Sequence, residues 1–255
     1  MSDGPRPDES WDRLVGDWRI LQLRRGHRFS TDDLVCAWRG SLARPEACSL
    51  LDIGCGIGSV GLSVLHRAPP EAHLTGVEAQ EVSIGLARRT VSLNGIAERV
   101  RLVHGDLRDP GVLNPELKFD LITGSPPYIP PDKGVISPVP QRAYARMELR
   151  GSVFDYCTTA RRHLAEGGAF AFLMAAADPR TEEAPLAAGL RVVERWDYVF
   201  ASGADPLICT MVCMREEDEP PPRATGRMVI RGPDGEWTDD YLAFRRIMGT
   251  PIERR

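Results

Sequence analysis

Lysine is nearly missing from this chain: Lys118 and Lys133 are the only two, and arginine carries almost all of the positive charge. Arginine's planar fork binds two acceptors at once and suits phosphate and base contacts, although a genome biased towards arginine codons gives the same composition. No apolar run approaches the length that spans a bilayer, so a membrane-spanning segment is not expected. Residues 1–12 carry acidic and proline residues where a secretory leader has a basic end and an apolar stretch, which predicts a cytoplasmic protein. The six cysteines (Cys36, Cys48, Cys55, Cys157, Cys209 and Cys213) include no Cys-x-x-Cys pair, which points to buried free thiols and to no metal centre. A net charge of −4 argues against a uniformly positive nucleic-acid coat but leaves room for a local basic site.

What is present alternates. The apolar run Ser49-Leu50-Leu51-Asp52-Ile53 ends in Gly54 and is followed by a helical stretch over 59–67, giving strand, glycine turn, helix. Strands are predicted over 73–78, 100–104 and 119–123, with a helix between the first two that ends at Asn94-Gly95. Residues 126–140 are too rich in proline and glycine for regular structure and form a loop at the carboxyl end of the fourth strand, the edge where open α/β sheets bind ligands. A helix marked by Val153, Tyr156, Cys157, Ala160 and Leu164 leads to a strand over 169–174, and strands over 190–200 and 207–214 pair as a hairpin at the sheet edge. The fold class is therefore α/β and Rossmann-like: a seven-stranded, mostly parallel sheet with a C-terminal antiparallel hairpin. The predicted division is an N-terminal extension (1–27), disordered before about Asp12, a catalytic domain (28–215), an acidic proline-rich linker (216–227) and a C-terminal strand and helix packing on that domain (228–255).

Asp52-Ile53-Gly54-Cys55-Gly56-Ile57-Gly58 has the spacing of a nucleotide-binding turn, in which Gly54, Gly56 and Gly58 let the backbone approach a ligand and the next helix pack closely. Glu78 ends the next strand 20 residues after Gly58, where a carboxylate can accept from both ribose hydroxyls. Nicotinamide enzymes share that logic. The acidic residue before the first glycine and the lack of a pyrophosphate signature resemble instead the first motif of class I S-adenosylmethionine-dependent methyltransferases. That resemblance implies a cofactor contact for Asp52 and an adenine contact for Asp106, for which a turn cap is the plainer reading. Ser125-Pro126-Pro127-Tyr128 directly follows the fourth strand and resembles the Asn/Asp/Ser-Pro-Pro-Tyr/Phe motif of amino methyltransferases. Prolines stiffen such a turn, so that the Ser125 oxygen and the Pro126 carbonyl point at one amine while Tyr128 offers a stacking ring.

Together with residues 28–35 and 228–235, these motifs resemble the bacterial tRNA(Val) adenine-N6 methyltransferase family over about residues 28–248. The resemblance implies S-adenosyl-L-methionine as donor, a tRNA adenine as acceptor, and Thr31, Asp32 and Ser125 in the cofactor pocket. Ser125 stands where that family typically has asparagine. Ser125, Pro126, Pro127 and Tyr128 are thus the expected catalytic turn for direct methyl transfer, with no metal. Arg142, Arg146 and Arg150 are candidates for RNA phosphates, and Arg24, Arg25 and Arg28 form a second group; a solvated helix face explains the former equally well. Three alternatives stay open: methylation of a protein glutamine or small molecule; methylation of DNA, against which the lack of a separate target-recognition domain counts; and an inactive cofactor-binding scaffold. The oligomeric state is not legible.

Overall fold

The computed structural model describes residues 4–130, 132 and 134–250; the outer edges of the first and last expected segments, Met1 and Arg255, lie outside the described residues. Strands β1 (Glu9–Val15) and β2 (Trp18–Leu23) form a separate hairpin. Helix α1 (Thr31–Ala43) then leads into β3 (Ser49–Ile53), α2 (Ser59–Arg67), β4 (His73–Glu78), α3 (Glu81–Leu93), β5 (Val100–His104) and β6 (Phe119–Gly124). After the proline-rich loop come α4 (Pro140–Arg146), α5 (Val153–His163), β7 (Leu164–Ala175) and α6 (Arg180–Ala187). The antiparallel pair β8 (Leu190–Val199) and β9 (Ile208–Arg215) is followed, among the described residues, by β10 (Ala224–Val229) and α7 (Asp239–Ile247).

The main sheet has eight strands in the order β10-β8-β9-β7-β6-β3-β4-β5, one more than the expected seven. The extra strand is β10. It starts at Ala224 inside the stretch read as linker and pairs in parallel with β8. The β8–β9 hairpin is therefore not the sheet edge, because the free backbone groups along β8 are taken up by β10. Its chemistry was hidden by Pro220, Pro221 and Pro222 immediately upstream.

The sheet is covered on both faces, and its strands show it. In β7, Ala169, Ala171 and Leu173 enter one core with α1, α2 and the N-terminal hairpin, while Phe170, Phe172 and Met174 enter a second core with α5 and α6. A strand buried on both faces reads as a continuous apolar run, whose ends are hard to place from sequence. Tyr241, Phe244 and Met248 of the last helical segment join the first core, and Thr238 caps α7 by accepting from the Tyr241 N–H. Helix α6 was not anticipated, because it contains Pro185 and few apolar repeats.

Order begins earlier than expected. The β1–β2 hairpin buries Leu14, Val15, Ile20 and Leu21 against the first core, and Glu9 is held by Arg89 of α3 at 2.6 Å. That pairing holds the Glu9 carboxyl below its ordinary range. The tip of the hairpin also meets the far end of the sequence: the Gly16 N–H donates to the Gly249 carbonyl at 3.1 Å. Both glycines have positive φ, and a Cβ on Gly249 would press on the Gly16 backbone. All six cysteines are free, with Cys48 half-buried and the others buried.

Candidate active site

The carboxyl ends of β3, β4 and β6 open into one cavity of about 500 Å3. From β3, the turn through Gly54, Cys55 and Gly56 borders it; from β4, Glu78; from the loop after β5, Asp106; and from the loop after β6, Ser125, Pro126, Pro127 and Tyr128. Asp32 of α1 closes one side, and Arg142, Arg146 and Arg150 border the mouth. The Ser-Pro-Pro-Tyr turn and the glycine turn are 67 residues apart in sequence (125 − 58) and are walls of a single chamber.

The glycine turn has a distinct reason at each position. Gly54 has φ +65°, and a Cβ there would collide with the Tyr156 ring of α5. Gly56 has φ +56° with open space where its Cβ would be, so a side chain there would project into the cavity. Gly58, at φ +93°, is the N-cap of α2 and packs on Leu62; it does not border the cavity.

The two central carboxylates do different work. Asp52 is buried, with one oxygen accepting from the Thr123 hydroxyl at 2.8 Å and the other from the Gly61 N–H at 2.9 Å. Burial outweighs these bonds and lifts its pKa to about 7. Its visible role is to fasten the start of α2 to β6. Glu78 accepts from the Gly56 N–H at 2.8 Å and the Gln80 N–H at 2.6 Å, bonds that oppose the upward pull of its burial. Each carboxylate oxygen has a second lone pair, so Glu78 retains acceptor capacity towards a ligand. Asp106 is more open and is gripped by Arg108 at 2.6 Å, which holds its carboxyl low. Asp32 is raised chiefly by burial, then by neighbouring Asp33, and the Tyr128 phenol beside it is raised by burial as well.

Thr31 lies elsewhere. Its hydroxyl pairs with the Tyr241 hydroxyl at 2.9 Å, and it borders a second cleft. Of the arginines, Arg24 and Arg25 border neither cavity, whereas Arg28 borders both. Arg142 donates to the carbonyls of Arg25 and Gly26, and Arg150 to that of Ala79 while lying 4.2 Å from the centre of the Tyr144 ring. Residues not singled out from sequence also line the chamber: Tyr156, Asp33 and Gln141. Tyr156 showed only as a core position on a helix face. Gln141, which accepts from the His27 N–H at 3.0 Å, gave no signal because its partner is 114 residues away.

The methyltransferase small domain model matches residues 40–187, more than half of the chain. The chain belongs to the methyltransferase small domain family. The matched region contains the glycine turn, Glu78, Asp106 and the Ser-Pro-Pro-Tyr turn, whereas the wall from Gly26 to Asp33 lies before it. The family's S-adenosylmethionine chemistry fits the walls. Asp32, Asp33, Glu78 and Asp106 border the chamber and can face a cationic sulfonium, and the space above Gly56 admits a ligand to the backbone.

A tRNA1(Val) (adenine(37)-N6)-methyltransferase of Yersinia pestis (strain Pestoides F) is 34% identical over 98 residues, 38% of this chain and 38% of that protein. The match thus spans well under half of that relative's length. Among solved structures, a predicted O-methyltransferase from Agrobacterium tumefaciens superposes with a TM-score of 0.60 at 18% identity, covering 88% of this chain and 100% of the other. A ribosomal protein L11 methylase from Lactobacillus delbrueckii subsp. bulgaricus gives 0.53 at 16% identity over 74% and 81%. At those identities the likeness establishes the Rossmann-like methyltransferase fold. No helix among the described residues is long and apolar enough to cross a membrane, and no metal-ligating cluster occurs among them.

Proposed function

We propose that the protein transfers a methyl group from S-adenosylmethionine to the N6 amine of an adenine in tRNA, by direct in-line displacement. The observation that carries this reading is the shared chamber: a stiff Ser-Pro-Pro-Tyr turn faces the same space as the glycine turn and Glu78. The partial match to an adenine-N6 tRNA methyltransferase supports the choice of acceptor.

S-adenosylmethionine supplies a methyl group activated by a sulfonium, so no covalent enzyme intermediate is required. Glu78 orients the donor through its remaining lone pairs, and Gly56 keeps the floor low enough for close approach. Among the described residues, none bonds the Ser125 hydroxyl, which leaves it available to accept from the acceptor amine. The Pro126 carbonyl takes the second amine hydrogen, and the Tyr128 ring stacks on the base. Holding both N–H groups directs the nitrogen lone pair at the methyl group, and the methylated nitrogen then sheds one proton to solvent. A cytoplasmic location accords with such a substrate.

The test combines purified protein, radiolabelled donor and unfractionated tRNA, followed by nucleoside mass spectrometry, with N6-methyladenosine as the expected product. Label on a protein or metabolite would move the acceptor to an amide or small amine. Cofactor binding without transfer to any fraction would leave a scaffold.

A further inference from the structure

A second cleft of about 580 Å3 adjoins the cofactor chamber, with Arg28 and Ser30 bordering both. Its walls come from three places: the N-terminal hairpin with Arg13, the start of α1 with the segment before it, and the turn between β10 and α7 with Arg231 and Trp237, joined by Arg245 of α7. Four guanidiniums (Arg13, Arg28, Arg231 and Arg245) face one carboxylate, Asp12, in a chain whose net charge is −4. Asp12 is itself occupied, accepting from Arg28 at 2.9 Å and from Gln22 at 3.0 Å. Local positive charge against a negative total is the pattern of a site for a polyanion.

Arg28 is spent on Ser10 and Asp12, whereas Arg13 and Arg231 are anchored with most of their donors left over. Arg13 donates through Nε to the Gly16 carbonyl at 2.7 Å, and Arg231 through Nη1 to the Gly235 carbonyl at 2.9 Å. Each bond fixes the side chain and leaves the other N–H groups of the fork available. Arg245 lies over the Trp237 ring, 4.7 Å from its centre, in a cation–π contact. Such a pair offers a surface on which a base can stack. At the cofactor chamber's mouth Arg142 spends two nitrogens on the Arg25 and Gly26 carbonyls, and Arg150 donates to the Ala79 carbonyl while lying over the Tyr144 ring.

We propose that this second cleft seats the sugar-phosphate strand on one side of the acceptor nucleotide. The strand passes from the chamber over Arg28 and Ser30, its phosphates meet Arg13 and Arg231, and a flanking base stacks on the Trp237–Arg245 pair. This rests on the tRNA reading and adds the location of the flanking strand.

The experiment measures fluorescence anisotropy of labelled unfractionated tRNA at several salt concentrations, with wild-type protein and an Arg13→Gln/Arg231→Gln double variant. An Arg101→Gln/Arg191→Gln variant makes the same charge change on exposed strand residues outside both cavities. The cleft variant should bind about tenfold more weakly, with a salt slope shallower by roughly 1.4 to 1.8, since each phosphate contact contributes about 0.7 to 0.9. The control pair should keep the wild-type slope. Affinity for S-adenosylhomocysteine, by calorimetry, should be unchanged in both variants. Arg231→Gln alone, at an exposed turn, should show about half the change in slope and guards against misfolding of the double variant. Equal tRNA affinity and slope in wild type and cleft variant would overturn the cleft while leaving the tRNA reading intact. Equal losses in cleft and control variants would overturn it also. Wild-type protein that shows no salt-dependent tRNA binding would overturn both.

Discussion

At the scale of single residues, the proposed mechanism assigns donor holding to Glu78 and acceptor orientation to Ser125, and two substitutions should separate them in kinetics. Glu78→Ala removes a buried carboxylate that faces the glycine turn and should weaken donor binding by about 1.5 to 3 kcal/mol, the range for lost charge-assisted hydrogen bonds. Ser125→Ala should lower turnover by tenfold or more with the donor affinity unchanged. Calorimetry and single-turnover rates distinguish the two, and equal loss of both quantities in Ser125→Ala would place Ser125 in donor binding instead. Asp52 adds a pH dependence. Its folded-state pKa of about 7 lies above the ordinary 3.8, so the folded protein holds this proton more tightly than the unfolded chain. The stability contributed by the group is complete below about pH 4 and is lost as pH rises through about 7. The difference across that window is on the order of 4 kcal/mol. Melting temperatures of wild type and Asp52→Asn between pH 5 and 8 should therefore diverge as pH rises; parallel curves would show that Asp52 titrates normally.

At the scale of elements, β10 shows both what a pattern reveals and what it conceals. Gly226 stands opposite Trp196 of β8, and a Cβ on it would overlap that indole. Gly226→Ala should therefore cost about 1 to 3 kcal/mol through overpacking, read as a fall of several degrees in melting temperature. An unchanged melting curve would mean that β10 is not seated as described. The helix over 59–67, the strands over 73–78 and 100–104 and the Thr238 cap were legible in the sequence, because each is fixed by local periodicity or by a single capping residue. Strand β10 was legible only as a shorter run further on, since what makes it a strand is the edge of β8, some 30 residues away. The site divides the same way. The residues of the two central motifs announce themselves through glycine and proline, whose backbone demands are intrinsic. Tyr156, Asp33 and Gln141 enter the chamber through tertiary packing alone, and Thr31 leaves it because its hydroxyl finds Tyr241.

At the scale of the whole molecule, positive charge is used in two ways: as fastening and as surface. Arg142 ties α4 to the segment before α1, whereas Arg146 borders the chamber without such a bond among the described residues. Arg142→Gln should accordingly lower the melting temperature by a few degrees, by losing its bonds to carbonyls. Arg146→Gln should leave the melting temperature within a degree or so of wild type and reduce only the affinity for tRNA. Thermal denaturation and anisotropy on the same preparations check both, and a reversal of the two effects would reverse the assignment.

The bond between Gly16 and Gly249 imposes an order on manufacture. During synthesis the hairpin leaves the ribosome well before the residue that closes over its tip, which is added 233 positions later (249 − 16). Until then the apolar side of the hairpin can lean on α2 and α3 but lacks its final latch. Synthesis of the segment through Gly249 therefore completes the hairpin's surroundings and, through the turn bearing Arg231 and Trp237, a wall of the second cleft. A nascent chain released shortly before Gly249 would carry an intact glycine turn and an intact Ser-Pro-Pro-Tyr turn, with the hairpin that carries Arg13 left unlatched.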